Sequence, residues 1–250
     1  MREQESSIWH DVECGAYAAD LQLWRRLVRE ASPERACDVL ELGCGTGRVS
    51  LALAPRARHV SAIDVDPELV AVLRERAAER ELPVEAVVAD ARAFELERRF
   101  DLVLAPMQLV QLLTGEGERL SMLSCVARHL HPGGRVVLAL LEVEEEWSAT
   151  PEDAPAPDMR ELDGWLYASR PVEVRRTGSG DAIELDRIRQ KVSPRGRIEE
   201  TPSRVRLELV SPKQLEQEGR RAGLVPRPRK RVPPTDEHVG SCIIVLEADA

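Results

Sequence analysis

The feature that most constrains the fold is an alternation of apolar and helical segments between residues 37 and 141. Parallel strands joined by helical crossovers produce this pattern, and both faces of such a sheet are covered, which suits unbroken apolar runs such as VVLALL. Helices are also predicted over most of the first 30 residues and, with Ser211 as N-cap and Pro212 in the first turn, over 211–223. Strands are predicted at 37–42, 59–63, 84–89, 101–105 and 135–141, and helices between them at 49–54, 67–82 and 116–129.

The pattern changes after Leu141. Residues 142–163 are acidic and rich in proline, which is typical of a loop or lid. Alternating segments separated by glycine-containing turns follow, and they predict antiparallel hairpins. These segments are 165–169, 172–175, 182–192 and 198–210, and two last strands are predicted at 224–226 and 239–246.

The overall charge argues against nucleic acid as a partner. The chain has 35 basic and 44 acidic residues, a net charge of -9, and only 3% aromatic residues. An acidic surface repels phosphate backbones, and few aromatic rings are available to stack on bases.

The cysteines and apolar residues indicate the compartment. The five cysteines form no C-x-x-C pair, and no apolar run approaches the length of a membrane span. The N-terminal residues lack the apolar region of a secretory signal. We therefore expect a cytoplasmic protein without disulfides, a structural metal site or a membrane anchor.

The strongest local motif is ELGCGTG at residues 41–47. Glycines after a strand let the backbone approach a ligand, and Asp64, at the end of the next predicted strand, can accept both hydroxyls of a ribose. A dinucleotide loop needs glycine where this chain has Arg48, and Glu41 suits a cationic ligand better than a pyrophosphate. A nicotinamide dehydrogenase stays an alternative that cofactor titration would decide.

Five blocks in order resemble the class I S-adenosylmethionine-dependent methyltransferases, in particular those that act on small molecules. They are ELGCGTG (41–47), AIDVDP (62–67), VVADAR (87–92), FDLVLAPM (100–107) and LHPGGRVVLAL (130–140). The resemblance implies an α/β fold, a doubly wound, mostly parallel seven-stranded sheet with an antiparallel β insertion after strand five. We expect an N-terminal helix and cofactor-binding core at 1–141, an acidic lid and substrate cap at 142–210, and a final helix with two strands at 211–250.

The resemblance also implies S-adenosyl-L-methionine as cofactor and assigns residues to it. Backbone groups of the glycine turn would surround its methionyl part, Asp64 would hold the ribose, and Asp90 would accept from the adenine amino group. Two of these side chains could instead have a structural role. Asp90 could be the N-cap of a helix, and Tyr17 could be a core residue. The expected cofactor residues are Tyr17, Glu41, Gly43, Cys44, Gly45, Gly47, Asp64, Val65, Asp90, Ala91 and Ala105.

The substrate should bind beyond the carboxyl ends of the strands. In this family the last strand is antiparallel, which brings the turn at 233–238 to that side and makes His238 the candidate base; the alternative is an exposed turn histidine. Trp165 and Tyr167 either line the substrate pocket or pack the small sheet. The expected substrate residues are Met107, Gln108, Gln111, Trp165, Tyr167 and Glu237.

We therefore expect methyl transfer to nitrogen or oxygen of a small molecule by in-line displacement. The alternatives are an RNA or protein methyltransferase and a non-catalytic S-adenosylmethionine-binding protein. Expected partners are a small-molecule substrate and, for the chain itself, no partner or one further copy (monomer or homodimer).

Overall fold

The computed structural model describes residues 5–31, 37–141, 156–235 and 238–249. They fall into two compact units. The core unit takes the described residues between 17 and 142 and between 210 and 250, and the insertion unit takes those between 1 and 16 and between 143 and 209.

The elements are named in chain order. They are α1 (Glu5–Cys14), α2 (Leu21–Ala31), β1 (Asp38–Leu42), α3 (Ser50–Leu53) with a 3-10 turn at Ala54–Arg56, β2 (His59–Asp64), α4 (Pro67–Glu79), β3 (Val84–Val88), β4 (Phe100–Ala105), α5 (Leu109–Leu112), α6 (Gly115–His129), β5 (Leu130–Leu141), β6 (Asp158–Leu162), β7 (Trp165–Arg176), β8 (Ala182–Val192), β9 (Ile198–Glu208), α7 (Pro212–Arg221), β10 (Leu224–Val232) and β11 (Ser241–Ala248).

Seven strands of the described core unit form one sheet in the order β10-β11-β5-β4-β1-β2-β3. β11 runs antiparallel to both neighbours, whereas β1 to β5 pair in parallel. This confirms the predicted mixed sheet. All parallel strands end at one edge, where β1 and β2 place Leu42 beside Ile63. Loops at that edge are therefore brought together from distant parts of the sequence.

The two faces of the sheet are packed by different helices. Along β4, Val103 joins the cluster that contains Met122 of α6, whereas Leu102 and Leu104 join the cluster that contains Trp24 of α2. Successive strand side chains point to opposite faces, so a strand covered on both sides must be apolar throughout. The pattern that predicted the parallel sheet follows from this packing.

Helix ends in the core unit follow the sequence closely. Asp66 accepts a hydrogen bond from the Glu68 amide, and Pro67 occupies the first turn of α4. Ser211 and Gln214 form a reciprocal capping box at the start of α7, with Pro212 at the first position as predicted. Side-chain caps satisfy amides that the helix itself leaves without acceptors.

The insertion unit contains an antiparallel sheet in the order β6-β7-β8-β9. Its three hairpins turn at Gly164, Gly180 and Gly196, all of which have positive φ angles. Helix α1 packs on this sheet through Trp9 and Val12, which form a buried cluster with Tyr167. The second sheet after strand five, expected from the sequence, is therefore present.

Several predicted boundaries were wrong. The expected N-terminal helix is two helices, because residues 15–20 separate α1 from α2. Residues 158–162, placed in the acidic lid, form β6, and the two strands predicted around Pro171 are one strand with an irregular register there. The rest of the acidic segment, 142–155, lies outside the described residues.

The predicted division at residues 141 and 210 stays a prediction. The structure groups the described residues before Tyr17 with the insertion unit. No helix in the described part of the chain could span a membrane. None of the five cysteines forms a disulfide.

Gly47→Ala should destabilise the core unit. Gly47 has a φ of +95°, and a Cβ atom there would overlap the side chains of Leu73 and Leu51. We expect the free energy of unfolding in urea to fall by about 2–4 kcal/mol, because backbone strain and overpacking act together. The control is Gly117→Ala, inside α6 with open space around it, which should raise stability by about 0.5–1 kcal/mol. Equal stabilities of the two variants would contradict this account of the turn.

Candidate functional site

The turn after β1 has an unusual backbone. Gly43, Gly45 and Gly47 have φ angles of +64°, +53° and +95°. A Cβ atom on Gly43 would lie 2.8 Å from Cδ1 of Leu109. Residues with a side chain rarely adopt these angles, so the glycines are required by the turn itself as well as by any ligand that approaches it.

Asp64 holds this turn to the neighbouring strand. One carboxylate oxygen accepts a hydrogen bond from the Gly45 amide at 2.9 Å, and the other accepts from the Asp66 amide at 3.0 Å. The Cys44 amide donates to the Ile63 carbonyl at 3.0 Å. Each carboxylate oxygen can accept more than one hydrogen bond, so the half-buried Asp64 retains acceptor capacity toward a hydroxyl-bearing ligand.

Glu41 is buried directly before the turn, with 3% of its surface exposed. Its carboxyl group accepts a hydrogen bond from the Ser50 hydroxyl in α3. Burial raises the pKa of Glu41 to about 8, although Ser50 and Arg48 act in the opposite direction. A buried carboxyl group of this kind ionises more readily when a positive charge comes near it.

Further residues predicted to contact the cofactor lie at the same edge of the sheet. Val65 follows β2 and is 64% exposed, which is high for an apolar side chain. Ala105 ends β4 and is buried, as is Ala91 after β3. The carboxyl ends of β1, β2, β3 and β4 thus bring together most of the expected cofactor residues.

Asp90, after β3, is paired with a residue that the sequence analysis missed. The Arg92 guanidinium donates to both Asp90 oxygens, at 2.9 and 2.6 Å, and the Arg92 amide donates at 2.8 Å. These hydrogen bonds lower the pKa of Asp90. The helix-cap alternative is wrong, because residues 89–99, all of them described, contain no helix. The spacing Asp-x-Arg was the available signal.

Tyr17 and His238 come together although 220 positions separate them in the sequence. Their ring centroids are 4.8 Å apart at an interplanar angle of 31°. Burial raises the pKa of the half-buried Tyr17. The His238 amide donates to the Thr235 hydroxyl at 3.0 Å, which closes the turn before β11. Glu237 lies outside the described residues.

The loop after β4 contains the other expected substrate residues of the core unit. Met107 and Gln108 are half-buried, and Met107 has a φ of +54°. Gln111 is buried, and its amide oxygen accepts from the Leu141 amide at 2.7 Å. This hydrogen bond ties α5 to the end of β5, a structural role that its sequence position did not indicate.

Trp165 and Tyr167 lie on β7 of the insertion unit. The Tyr167 ring meets Trp9 edge-on, with centroids 5.4 Å apart. The Lys191 ammonium lies 4.9 Å from the Trp165 ring centroid and 5.7 Å from that of Tyr167. These contacts pack the small sheet. Across the described residues, no group of three or more His, Cys, Asp or Glu side chains could hold a metal ion.

Part of the core unit is similar in sequence to known proteins. Residues 39–134 match the model of a family described as a methyltransferase domain. The Cypemycin N-terminal methyltransferase of Streptomyces sp is 36% identical over 115 residues, 45% of this chain and 46% of that protein. The dTDP-3-amino-3,6-dideoxy-alpha-D-glucopyranose N,N-dimethyltransferase of Streptomyces fradiae is 33% identical over 121 residues, 48% of this chain and 44% of that protein. The chain thus spans less than half the length of these relatives.

Solved structures match nearly the whole chain. DesVI of Streptomyces venezuelae superposes with a TM-score of 0.75 and 20% identity over 97% of this chain and 96% of that one. CalS10, an amino pentose methyltransferase from Micromonospora echinaspora solved with S-adenosylmethionine bound, gives 0.71 and 22% over 96% of each chain. KedS8, a sugar N-methyltransferase from Streptoalloteichus sp, gives 0.73 and 21% over 97% and 92%.

The seven-stranded mixed sheet has the Rossmann-like fold of these solved methyltransferase structures. Residues 39–134 match the methyltransferase-domain model, which confirms the resemblance found in the sequence, and the solved structures confirm the expected fold.

The burial of Glu41 predicts how stability depends on pH. Because the pKa of Glu41 is higher in the folded chain than its ordinary value, folding takes up a proton between about pH 5 and pH 8. As pH rises through this window, the contribution of protonated Glu41 to the free energy of unfolding should fall, by at most about 1.4 kcal/mol per pH unit. Glu41→Gln removes this contribution. The free energy of unfolding of the variant, measured in urea, should therefore increase relative to that of the wild type as pH rises.

An exposed carboxylate on α4, changed by Glu75→Gln, serves as the control for this measurement. Parallel stability curves for the wild type and Glu41→Gln between pH 5 and 9 would show that Glu41 does not titrate in this way.

Proposed function

We propose that the chain transfers a methyl group from S-adenosylmethionine to an acceptor nitrogen or oxygen on a small molecule. The observation that carries the proposal is the glycine turn between two carboxyl groups, with Glu41 buried before it and Asp64 bound to its Gly45 amide at 2.9 Å. This arrangement suits a ligand that combines a ribose with positive charge.

The residues at the sheet edge fit that cofactor. Asp64 has acceptor capacity for ribose hydroxyls, and the exposed Val65 offers an apolar face to adenine. Asp90 is held ionised by Arg92 and would accept from the adenine amino group, beside Ala91. The methionyl part would lie against Gly43, Cys44, Gly45 and Gly47, with the Ala105 carbonyl near its amino group and Tyr17 closing over it.

Glu41 would respond to this cofactor electrostatically. When bound, S-adenosylmethionine supplies a methyl group on a positively charged sulfur and also carries an α-amino group. Positive charge near Glu41 favours its ionised form, and the pKa of the buried group starts from about 8. Cofactor binding near neutral pH should therefore release a proton from Glu41.

An amine on a sugar is the acceptor class that the neighbours favour. CalS10 and KedS8, an amino pentose methyltransferase and a sugar N-methyltransferase, align with 96% and 97% of this chain. The net charge of -9 argues against the RNA alternative. A peptide amino terminus is the second candidate, because the Cypemycin N-terminal methyltransferase is 36% identical over the matched stretch.

The chain's own residues would align the acceptor and take its proton. In-line displacement forms the bond from acceptor nitrogen to methyl carbon as the carbon–sulfur bond breaks, and an acceptor proton must leave. We assign this proton to His238, which the Tyr17 ring holds at 4.8 Å. Met107 and Gln108 would contact the acceptor, whereas the buried Gln111 acts by fixing Leu141. Substrate roles for Trp165, Tyr167 and Glu237 stay predictions.

Asp64→Ala should strongly weaken cofactor binding. A charged hydrogen bond contributes about 1.5–3 kcal/mol, so losing Asp64 should raise the dissociation constant of S-adenosylhomocysteine at least about tenfold in calorimetry. Glu85→Ala, which removes an exposed carboxylate on the adjacent strand β3, is the matched control. Unchanged affinity in Asp64→Ala would refute the assignment.

His238→Ala should slow turnover about 10²- to 10⁴-fold and leave the affinity for S-adenosylhomocysteine unchanged, because the residue is assigned to proton transfer. His131→Ala is the control, since His131 lies at the start of β5, whereas the candidate site lies at the end of that strand. Release of S-adenosylhomocysteine is measured with amino sugars, nucleotide-linked amino sugars, peptides with a free amino terminus and transfer RNA. A wild-type rate in His238→Ala on an acceptor that turns over would remove the residue from catalysis.

Turnover on transfer RNA alone would replace the small-molecule proposal with the RNA alternative. Binding of S-adenosylhomocysteine without turnover on any of these acceptors would favour a non-catalytic binding protein.

A further inference from the structure

Arg48 connects the glycine turn to the segment that carries Tyr17. It follows Gly47 directly, and its guanidinium donates to the two carboxylate oxygens of Asp20 at 2.6 and 2.9 Å. The same guanidinium donates to the Tyr17 carbonyl at 2.8 Å. Its central carbon also lies 5.1 Å from the Tyr17 ring centroid, within the range of a cation–π contact. One side chain therefore contacts Tyr17 through both backbone and ring.

Asp20 is itself held firmly. Its side chain is 3% exposed and that of Arg48 is 9% exposed, so the pair is almost fully withdrawn from water. Asp20 also accepts a hydrogen bond from the indole nitrogen of Trp24 at 2.7 Å. Trp24 is fully buried among the core residues that pack on β1. The pair thus anchors residues 17–20 between the glycine turn and the core.

The contacts continue from Tyr17 to the candidate base. The Tyr17 ring packs on the His238 ring, with the two centroids 4.8 Å apart. A continuous series of contacts therefore leads from Gly47 through Arg48 and Tyr17 to His238.

Stability alone gives little reason for an ion pair at this place. The free energy of removing two charges from water often cancels the attraction between them. Apolar residues of the same volume therefore commonly give a protein that is equally stable. Two-point binding by arginine fixes geometry, which lysine or an apolar side chain cannot do. The core unit contains a second buried pair, Arg119 with Glu218 at 2.7 Å, that joins α6 to α7. It provides an internal comparison.

We propose that Arg48, through Asp20, is a positioning residue that holds Tyr17 and His238 in a fixed place relative to the glycine turn. The inference rests on the proposed function, because it assigns the turn to the cofactor and His238 to the acceptor. Arg48 touches neither cofactor nor acceptor in this account. It acts through Tyr17, so its loss should reduce kcat more than cofactor binding.

The test compares two double variants of the full chain. Arg48→Gln with Asp20→Asn removes both charges and the two-point contact while keeping polar groups for Trp24 and the Tyr17 carbonyl. Arg119→Gln with Glu218→Gln makes the same kind of change at the comparison pair. Neutralising both partners leaves no unpaired buried charge, so both proteins should fold. Arg48→Lys keeps the charge and serves as a third protein.

Amide hydrogen exchange of residues 17–24 is measured first without ligand and then with S-adenosylhomocysteine. We expect exchange there to be at least about tenfold faster in the Arg48/Asp20 variant and unchanged in the Arg119/Glu218 variant. A tenfold increase corresponds to a free energy of local opening that is lower by about 1.4 kcal/mol. The affinity for S-adenosylhomocysteine should stay within threefold of the wild type in the Arg119/Glu218 variant. In the Arg48/Asp20 variant it should fall by less than kcat does, because Tyr17 also closes over the cofactor. Arg48→Lys should give intermediate exchange.

Turnover on the amine acceptor that the screen identifies gives the second readout. kcat should fall at least about tenfold in the Arg48/Asp20 variant, and by a larger factor than the KM for S-adenosylmethionine rises, which is the pattern of a lost transition-state contribution. Equal exchange at residues 17–24 in the two double variants, or equal losses of kcat, would overturn the positioning role. Failure of the wild type to bind S-adenosylhomocysteine would instead refute the proposed function, while the ligand-free exchange would still report on the Arg48 contacts.

Discussion

The hydrogen bond between the Gly45 amide and Asp64 is the interaction on which the rest of the site depends. It joins the loop after β1 to the end of β2, and it forms only because the chain turns through three glycines with positive φ. Leu109 and Leu73 pack so closely that side chains at Gly43 and Gly47 would collide with them. Backbone geometry and packing therefore fix the edge of the sheet where β1 and β2 end, without any contribution from a ligand.

Much of this could be predicted from the sequence because it depends on local rules. Strands covered on both faces must be apolar at successive positions, as Leu102, Val103 and Leu104 are. Helix starts at Pro67 and Pro212 follow from capping residues that act within one turn. The order of these segments along the chain was enough to predict the parallel part of the sheet, whereas the antiparallel last strand was expected from the family resemblance.

Other features depend on contacts between residues far apart in sequence, and local patterns do not encode them. Arg48 and Asp20 are 28 positions apart in the sequence. Tyr17 and His238, whose rings are in contact, lie near the first and last residues of the core unit in the sequence. Gln111 looked like a polar loop residue, yet its amide binds the backbone of Leu141. β6 lies in an acidic stretch that has little strand character and is a strand because it pairs with β7.

The carboxyl groups at this edge share a common arrangement, in which each one accepts a hydrogen bond from a particular donor that orients it. Ser50 donates to Glu41, Gly45 to Asp64, Arg92 to Asp90 and Arg48 to Asp20. Preorganised acceptors lose little entropy when a ligand binds, which favours recognition of hydroxyl, amino and cationic groups in one cofactor.

A crystal structure with S-adenosylhomocysteine tests the central claim most directly. We expect the ribose hydroxyls to lie within hydrogen-bond distance of Asp64, the adenine to pack on Val65, and the sulfur to be directed toward His238. A nucleoside bound elsewhere, or an Asp64 carboxylate that makes no contact with the ribose, would contradict it.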